Sequence, residues 1–322
     1  MALEHINQVK GLVSRPRLRE LMRRTDYHAW RSLSSHLGCI TATGTLVYLA
    51  LGTVWLVPAM VLHGVGIVHL FSAQHEFAHR TAFRTRRLND LFGWIFGAAI
   101  MLPHVYFRWE HTAHHTYTQD TRRDPELIPQ PSSLAGYFLY LSSLPYWWGF
   151  LRPFCRHLFG MTTGAENAFL PATERWKVIW EARAMLAIYL SLALIAYAFD
   201  VTSLLYFWLL PRLLAEPYMR LVRMSEHVGR PVNNTNLLQN TRTMQISTPL
   251  RWLAWNMPYH GEHHLAPSVP FHALPALHRE IARYQPSITR GYWGAHKDIF
   301  LRSLHGSGPA LALNWPKTGA RR

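Results

Sequence analysis

The chain has 322 residues, 49% of them hydrophobic and 13% aromatic, with a formal net charge of +15. All 33 Lys and Arg lie outside two long apolar runs, so the charge marks membrane topology and contact with anionic headgroups, not a nucleic-acid partner. Two distant cysteines, Cys39 and Cys155, exclude a disulfide framework and a thiolate metal site.

Residues 1–35 read as a cytoplasmic leader, without the apolar stretch of a cleavable signal peptide. Leu12, Leu18, Leu21 and Met22 alternate with Arg15, Arg17, Arg19, Arg23 and Arg24, a pattern suited to a helix on an anionic surface. No Asp, Glu, Lys or Arg occurs from Ser32 to His75. That run has the length of two crossings, expected at Leu37–Val57 and Ala59–Gln74, with Pro58, Gly64 and Gly66 at the turn and its flank. The hairpin fills residues 36–75. Its second arm returns to the cytoplasmic face and delivers His75 and His79 there. His63 and His69 are six residues apart, share no helix face, and are expected in the core or at helix interfaces.

Residues 76–175 read as cytoplasmic or interfacial. After a basic turn, Leu91–Leu102 is too short to span and predicts an interfacial or re-entrant helix ended by Pro103. A loop rich in Pro and Asp occupies 116–133, and Leu134–Phe150, interrupted by Pro145, predicts a second interfacial helix. The second hairpin fills 176–222, with crossings at Trp176–Phe199 and Val201–Val222. Arg212, Glu216 and Arg220, at i, i+4 and i+8, are costly facing lipid and so face the interior, with Glu216 paired to either arginine. Residues 223–322 return to the cytoplasm, with a polar loop at 229–250, a histidine-bearing segment at Leu250–Leu265, a helix over Ala273–Tyr284 and a frayed end after His305. The whole, 1–322, is one domain. Its expected class is all-α: a polytopic membrane protein with four transmembrane helices in two hairpins under a cytoplasmic helical cap.

The chemistry is carried by three histidine boxes: His75 and His79 in HEFAH, His111, His114 and His115 in HTAHH, and His260, His263 and His264 in HGEHH. On a helix, i, i+3 and i+4 share a face, so each box aims its imidazoles into one space. Eight imidazoles at one rim of the hairpins exceed the three or four ligands of a single zinc site and suit two metals with open positions. Imidazole alone does not choose among Fe, Zn, Cu and Ni. A site against the bilayer suits attack on hydrocarbon, which calls for metal-activated oxygen.

With Trp109-Glu110 before the second box, Asp124-Pro125 after it and Asn256-Met257-Pro258-Tyr259 before the third, the chain over roughly residues 35–280 resembles the membrane fatty acid desaturase and hydroxylase family. The resemblance implies a non-haem centre of two iron ions with O2 as co-substrate. It also implies a lipid or acyl substrate and electrons from a separate donor, cytochrome b5 or ferredoxin with its reductase. Carried over by position, the iron ligands are the eight box histidines, and His227 stands where some members have a further ligand. Glu76, Glu110, Asp124 and Glu262 are candidates to accept the other ring N–H of a ligating histidine, and Asn256 to hold a metal-bound water or orient a ligand. His104, His157, His272, His278, His296 and His305 have no matching place. Lys occurs only at 10, 177, 297 and 317 against abundant Arg, which favours a GC-rich bacterial genome, hence the bacterial cytoplasmic membrane over the endoplasmic reticulum.

Desaturation and hydroxylation stay open, as do chain length and acyl carrier. Two other classes compete. His75-Glu76-Phe77-Ala78-His79 is also HExxH, the zinc metalloprotease signature with Glu76 as general base, which leaves the two HxxHH boxes unexplained. A metal transporter needs ligands along a path through the bilayer, whereas these cluster at one rim.

Overall fold

The computed structural model describes residues 8–9, 11–285 and 288–306; the start of the leader and the tail after 306 lie outside the described residues. Helices dominate: α1 (Arg15–Leu21), α2 (Asp26–Ala50), α3 (Leu56–Val68), α4 (Leu70–His79), α5 (Arg86–Ile100), α6 (His104–Tyr117), α7 (Leu134–Leu141) and α8 (Leu144–Leu158). They continue with α9 (Arg175–Ala198), α10 (Leu210–His227), α11 (Thr248–Leu253), α12 (His260–Leu265), α13 (Leu274–Ile281) and α14 (Gly291–Leu304). The sequence pattern did not foresee two short strands, β1 (Thr243–Gln245) and β2 (Ile288–Arg290), which pair in parallel with Met244 opposite Thr289.

Among the described residues, two helical stretches are long and apolar enough to cross a membrane, Leu56–His79 and Arg175–Ala198. α5 and α6 reach that length and apolarity only together, as a pair bent by 100°. The first hairpin turns earlier than expected. α2 begins at Asp26, where Thr25 Oγ1 accepts from the Tyr27 N–H, and the turn falls at Leu51–Trp55 with Gly52 at φ +72°. An absence of charge locates the apolar core of a helix but not its ends, which run on into polar residues. Pro58 stands in the first turn of α3, where a missing N–H costs nothing.

Gly64 has a different task from the expected flank of a turn. A Cβ on it would stand 2.1 Å from the Pro211 carbonyl oxygen and 2.8 Å from the Ala215 Cβ. α3 and α10 therefore touch backbone to backbone, the small-residue contact of membrane helices. Gly64→Ala is expected to lower stability by about 1–3 kcal/mol through overpacking, read as an earlier unfolding midpoint in detergent. Unchanged stability would mean the two helices separate freely here. His63 and His69 stand at interfaces, as expected: His63 joins Thr43 Oγ1 (2.9 Å) to the Phe207 carbonyl (3.0 Å), and His69 meets the Tyr218 hydroxyl at 3.2 Å. Phe207 belongs to a π-helical turn, Leu205–Leu209, that leads into α10.

α10 continues past Val222 to His227, because Arg223 and Glu226 are buried in ion pairs and not solvated. Glu216 pairs with both neighbours, Arg212 and Arg220. Pro145, expected to interrupt one helix, opens α8 after a break at Ser143 (φ +68°). The leader departs from the surface-bound expectation. Val13 and Leu21 are buried with Leu265, Leu274 and Ile281, Leu12 and Leu18 pack against them, and Arg17 bonds Glu280 at 2.9 Å. Its apolar side covers the C-terminal helices.

Candidate metal centre

Four elements bring nine histidines together: the end of α4, the face of α6, the last residue of α10 and all of α12. They form two groups, within each of which the candidate ligand atoms lie within 4.8 Å of one another. One holds His75, His79, His111, His115 and His263; the other holds His114, His227, His260 and His264. The boxes divide between them in a fixed way. On α6, His111 and His115 go to the first group and His114 to the second; on α12, His260 and His264 go to the second and His263 to the first. At about 100° per residue, i+4 falls about 40° to one side of i and i+3 about 60° to the other. One helical face can therefore serve two centres, a refinement of the single space expected of each box.

Tautomers follow from what lies behind the rings. His111 Nδ1 donates to Glu126 Oε1 (2.7 Å), His114 Nδ1 to Asp124 Oδ1 (2.9 Å), His264 Nδ1 to Thr118 Oγ1 (3.1 Å) and His227 Nδ1 to the Asn240 carbonyl (3.2 Å). Their Nε2 lone pairs are thereby turned inward. There, His260 Nε2 lies 2.8 Å from His227 Nε2 and 3.1 Å from His264 Nε2, while His115 Nε2 lies 3.0 Å from His111 Nε2 and 3.1 Å from His263 Nε2. Bare lone pairs this close repel unless a cation or proton lies between them. The spacing is comparable with the edge of a coordination polyhedron with bonds of about 2.1 Å. Among the described residues, neither ring nitrogen of the fully buried His75 has a hydrogen-bond partner, nor have the buried His79 Nε2 and His114 Nε2. Burial, reinforced by neighbouring imidazoles, pushes His260, His263 and His264 far below the ordinary histidine range, whereas at His114 burial is outweighed by the Asp124 and Glu126 carboxylates, which raise it. The first three are neutral, the form that ligates. The donor set fits two transition-metal ions.

Of the acidic candidates, Asp124 stands behind a box histidine. It is itself held by the Gln119 N–H (2.8 Å) and the Glu126 N–H (3.0 Å). Asp124→Asn is expected to weaken metal affinity 10–100-fold, the usual loss when a group orienting a ligand is changed, measurable by chelator competition; wild-type retention would assign the ring's orientation to packing alone.

The other acidic candidates lie elsewhere. Glu76 points away from its flanking histidines: its Oε2 accepts from Thr81 Oγ1 (2.7 Å) and the Phe271 N–H (3.3 Å). That placement leaves the HExxH motif without a general base at the cluster. Glu262 binds Thr243 Oγ1 (2.6 Å), His278 Nδ1 (2.5 Å) and Gln285 Nε2 (2.9 Å). Glu110 lines a neighbouring cavity. Asn256 is not on a helix with His260; it sits in a turn at φ +58° and donates to the Phe271 carbonyl at 3.0 Å.

Sequence reasoning missed Glu126, Thr118 and Asn240. Glu126 joins His111 to Arg223, whose Nη2 lies 2.9 Å from it, and Arg223 also pairs with Glu226. Burial opposes its charge, but His111, His114 and Arg223 hold its carboxyl far below the usual carboxylate range. Glu126 lies only two residues beyond Asp124 in a loop, and loops give no periodic signal of which way a side chain points.

Beside the first group runs a cavity of about 440 Å³ with mostly apolar walls. Two of its lining rings, Phe71 and Phe107, are also against the histidines. Phe107 stacks on His111 with centroids 5.0 Å apart, and Phe71 lies 6.1 Å from His75.

Comparison with known proteins agrees. The fatty acid desaturase family model matches residues 53–295. A sphingolipid delta(4)-desaturase/C4-monooxygenase of Mus musculus is 25% identical over 87% of this chain and 82% of its own length. A sphingolipid delta(4)-desaturase of Drosophila melanogaster is 26% identical over 70% of this chain and 66% of its own. The omega-6 fatty acid desaturase of Glycine max, an endoplasmic reticulum isozyme, is 28% identical over a shorter stretch, 32% of this chain and 26% of its own. By the match over most of its length, the chain belongs to the fatty acid desaturase family and is a membrane-bound oxidoreductase.

Proposed function

We propose that the protein is an O2-dependent desaturase of a fatty acyl chain or acyl lipid, with two iron ions held by the nine clustered histidines. The observation that carries this is the division of those histidines into two largely buried sets, their candidate ligand atoms gathered within 4.8 Å, beside an apolar cavity. His75, His79, His111, His115 and His263 would hold one ion and His114, His227, His260 and His264 the other. When bound, the pair supplies the oxidising power to take hydrogen from an unactivated methylene. The chain does the rest. Neutral imidazoles bring no charge, so Asp124, Glu126 and Glu226, directly behind or beside them, offset that of the metals. Phe71 and Phe107 form an apolar wall between the histidines and the cavity, which keeps water out and a hydrocarbon chain close.

Four crossings, α2, α3 with α4, α9 and α10, would carry the histidines to the cytoplasmic face, with both termini on that side and the rest of the chain as a cap. That arrangement makes 36–75 and 176–222 the hairpins of a single domain, and the Arg-rich composition favours the bacterial cytoplasmic membrane. Electrons would come from a separate cytochrome b5 or ferredoxin with its reductase. Hydroxylation of the same chain is the second reading, favoured by a relative whose name joins desaturase and C4-monooxygenase.

The test is elemental analysis and Mössbauer spectroscopy of detergent-purified protein grown on iron-57, followed by lipid profiling of cells expressing it. Two coupled irons per chain and new double bonds or hydroxyls are expected. One zinc without iron would sink the proposal.

A further inference from the structure

We propose that the cavity receives the neutral hydrogen-bonding group of a membrane-resident amphiphile, an amide or hydroxyl, and turns away carboxylate and phosphate heads. Only the fate of the bound chain rests on the desaturase reading; the selectivity rests on the cavity wall.

Two guanidinium groups line it, Arg220 and Arg223, and both are already occupied. Arg220 Nε lies 2.6 Å from Glu216 Oε1, and its guanidinium carbon is 3.9 Å from the centre of the Tyr146 ring. Glu216 also holds Arg212. Arg223 is clamped between Glu226 and Glu126, the latter at 2.9 Å. Three carboxylates thus answer three guanidiniums, and two carboxyls, Glu126 and Glu110, line the cavity itself. An entering anion would add an uncompensated negative charge beside buried pairs that already balance, which is unfavourable.

Neutral donors remain. Gln130 lines the cavity, and its Oε1 accepts from the Gly229 N–H at 2.6 Å, while its Nε2 is buried with no partner among the described residues. Tyr146 lines it too; its hydroxyl accepts from Arg212 Nη2 at 3.2 Å, which leaves its own proton to give. Among the uncharged donors of the wall, Gln130 Nε2 is the buried one without a partner among the described residues, and it matches an amide carbonyl or a hydroxyl. Arg220 is seven residues before His227 on α10, about 10 Å along the axis at 1.5 Å per residue. Tyr146, against Arg220, therefore stands at that remove from His227, whereas Gln130 is anchored on Gly229, two residues past His227.

The test is competitive binding to the full-length, detergent-purified protein with four probes of equal chain length: palmitamide, cetyl alcohol, palmitate and hexadecane. The amide and the alcohol are expected to bind about tenfold tighter than the other two, the worth of one well-made hydrogen bond. Gln130→Leu or Tyr146→Phe should shrink that preference. Equal or tighter binding of palmitate, equal binding of all four, or a preference that survives both substitutions would overturn the inference. Iron analysis of the same preparation keeps the two ideas apart. An amide preference without iron leaves the cavity assignment standing and removes the oxidation chemistry; iron without the preference does the reverse.

Discussion

His263→Ala and His260→Ala should each weaken the hold on one of the two ions per chain and abolish turnover. The two substitutions should spare different ions. His263 belongs to the group built on α4 and α6, and His260 to the group that includes His227 and His114. The expectation comes from the crossing of the boxes. α12 sends its i and i+4 histidines to one group and its i+3 histidine to the other, so neighbouring positions on one short helix fall in different groups. Removing His263 leaves four histidines around the first position, and removing His260 leaves three around the second. The remaining ion is therefore expected to be held more firmly in His260→Ala, whose intact group has five imidazoles, than in His263→Ala, whose intact group has four. Metal analysis combined with the spectroscopic signature of a lone ion reads this directly. If chelator strips both ions together from either variant, or the same ion is weakened in both, the division into two independent sites is wrong. The protein should still insert, because the apolar stretches that carry it into the membrane are untouched.

The histidine positions were legible because helical spacing is a property of sequence alone. HxxHH can only be a one-faced cluster if helical, and α6 and α12 are helical. The sequence could not say which histidine meets which, since that depends on how α4, α6, α10 and α12 cross. Glu76, Glu262 and Asn256 drew attention because they are neighbours of histidines in sequence. Adjacent residues on a helix point about 100° apart, and Glu76 and Glu262 accordingly bond to Thr81 and Thr243, away from the clusters. The residues that do stand behind the rings, Asp124, Glu126 and Thr118, come from the end of α6 and the loop after it. The apolar runs were equally plain, but helix ends were not. α2 starts at Asp26 and α10 runs to His227 because a cap and buried ion pairs, respectively, carry them beyond the apolar residues. The leader's amphipathic face was visible too; whether it lay on lipid or on protein turned on α13, far away in sequence.

Glu216→Ala is expected to be the most damaging substitution outside the histidines. Glu216 is fully buried and shared by Arg212 and Arg220, themselves nearly inaccessible. Removing one member of such a pair leaves buried charge uncompensated at a cost of about 3–5 kcal/mol, and here two guanidiniums lose their common partner. Arg212 also donates to the Ile100 carbonyl from Nε (3.1 Å) and Nη2 (3.0 Å). Ile100 is the last residue of α5, just before the bend that starts α6 and its histidines. The carboxylate thus holds the arginine that ties α10 to that bend. Glu216 lies eleven residues before His227, about 16 Å along the helix, so it touches no metal ligand. Glu216→Ala should nevertheless show a sharply lower unfolding midpoint and weaker metal retention together. Replacing Arg212, Glu216 and Arg220 at once by Met, Leu and Met should recover much of the stability, since no unpaired charge is left behind. Recovery of stability without recovery of metal retention would locate the triad's role in positioning the bend; a Glu216→Ala protein as stable as the parent would show that water or lipid headgroups already reach the arginines.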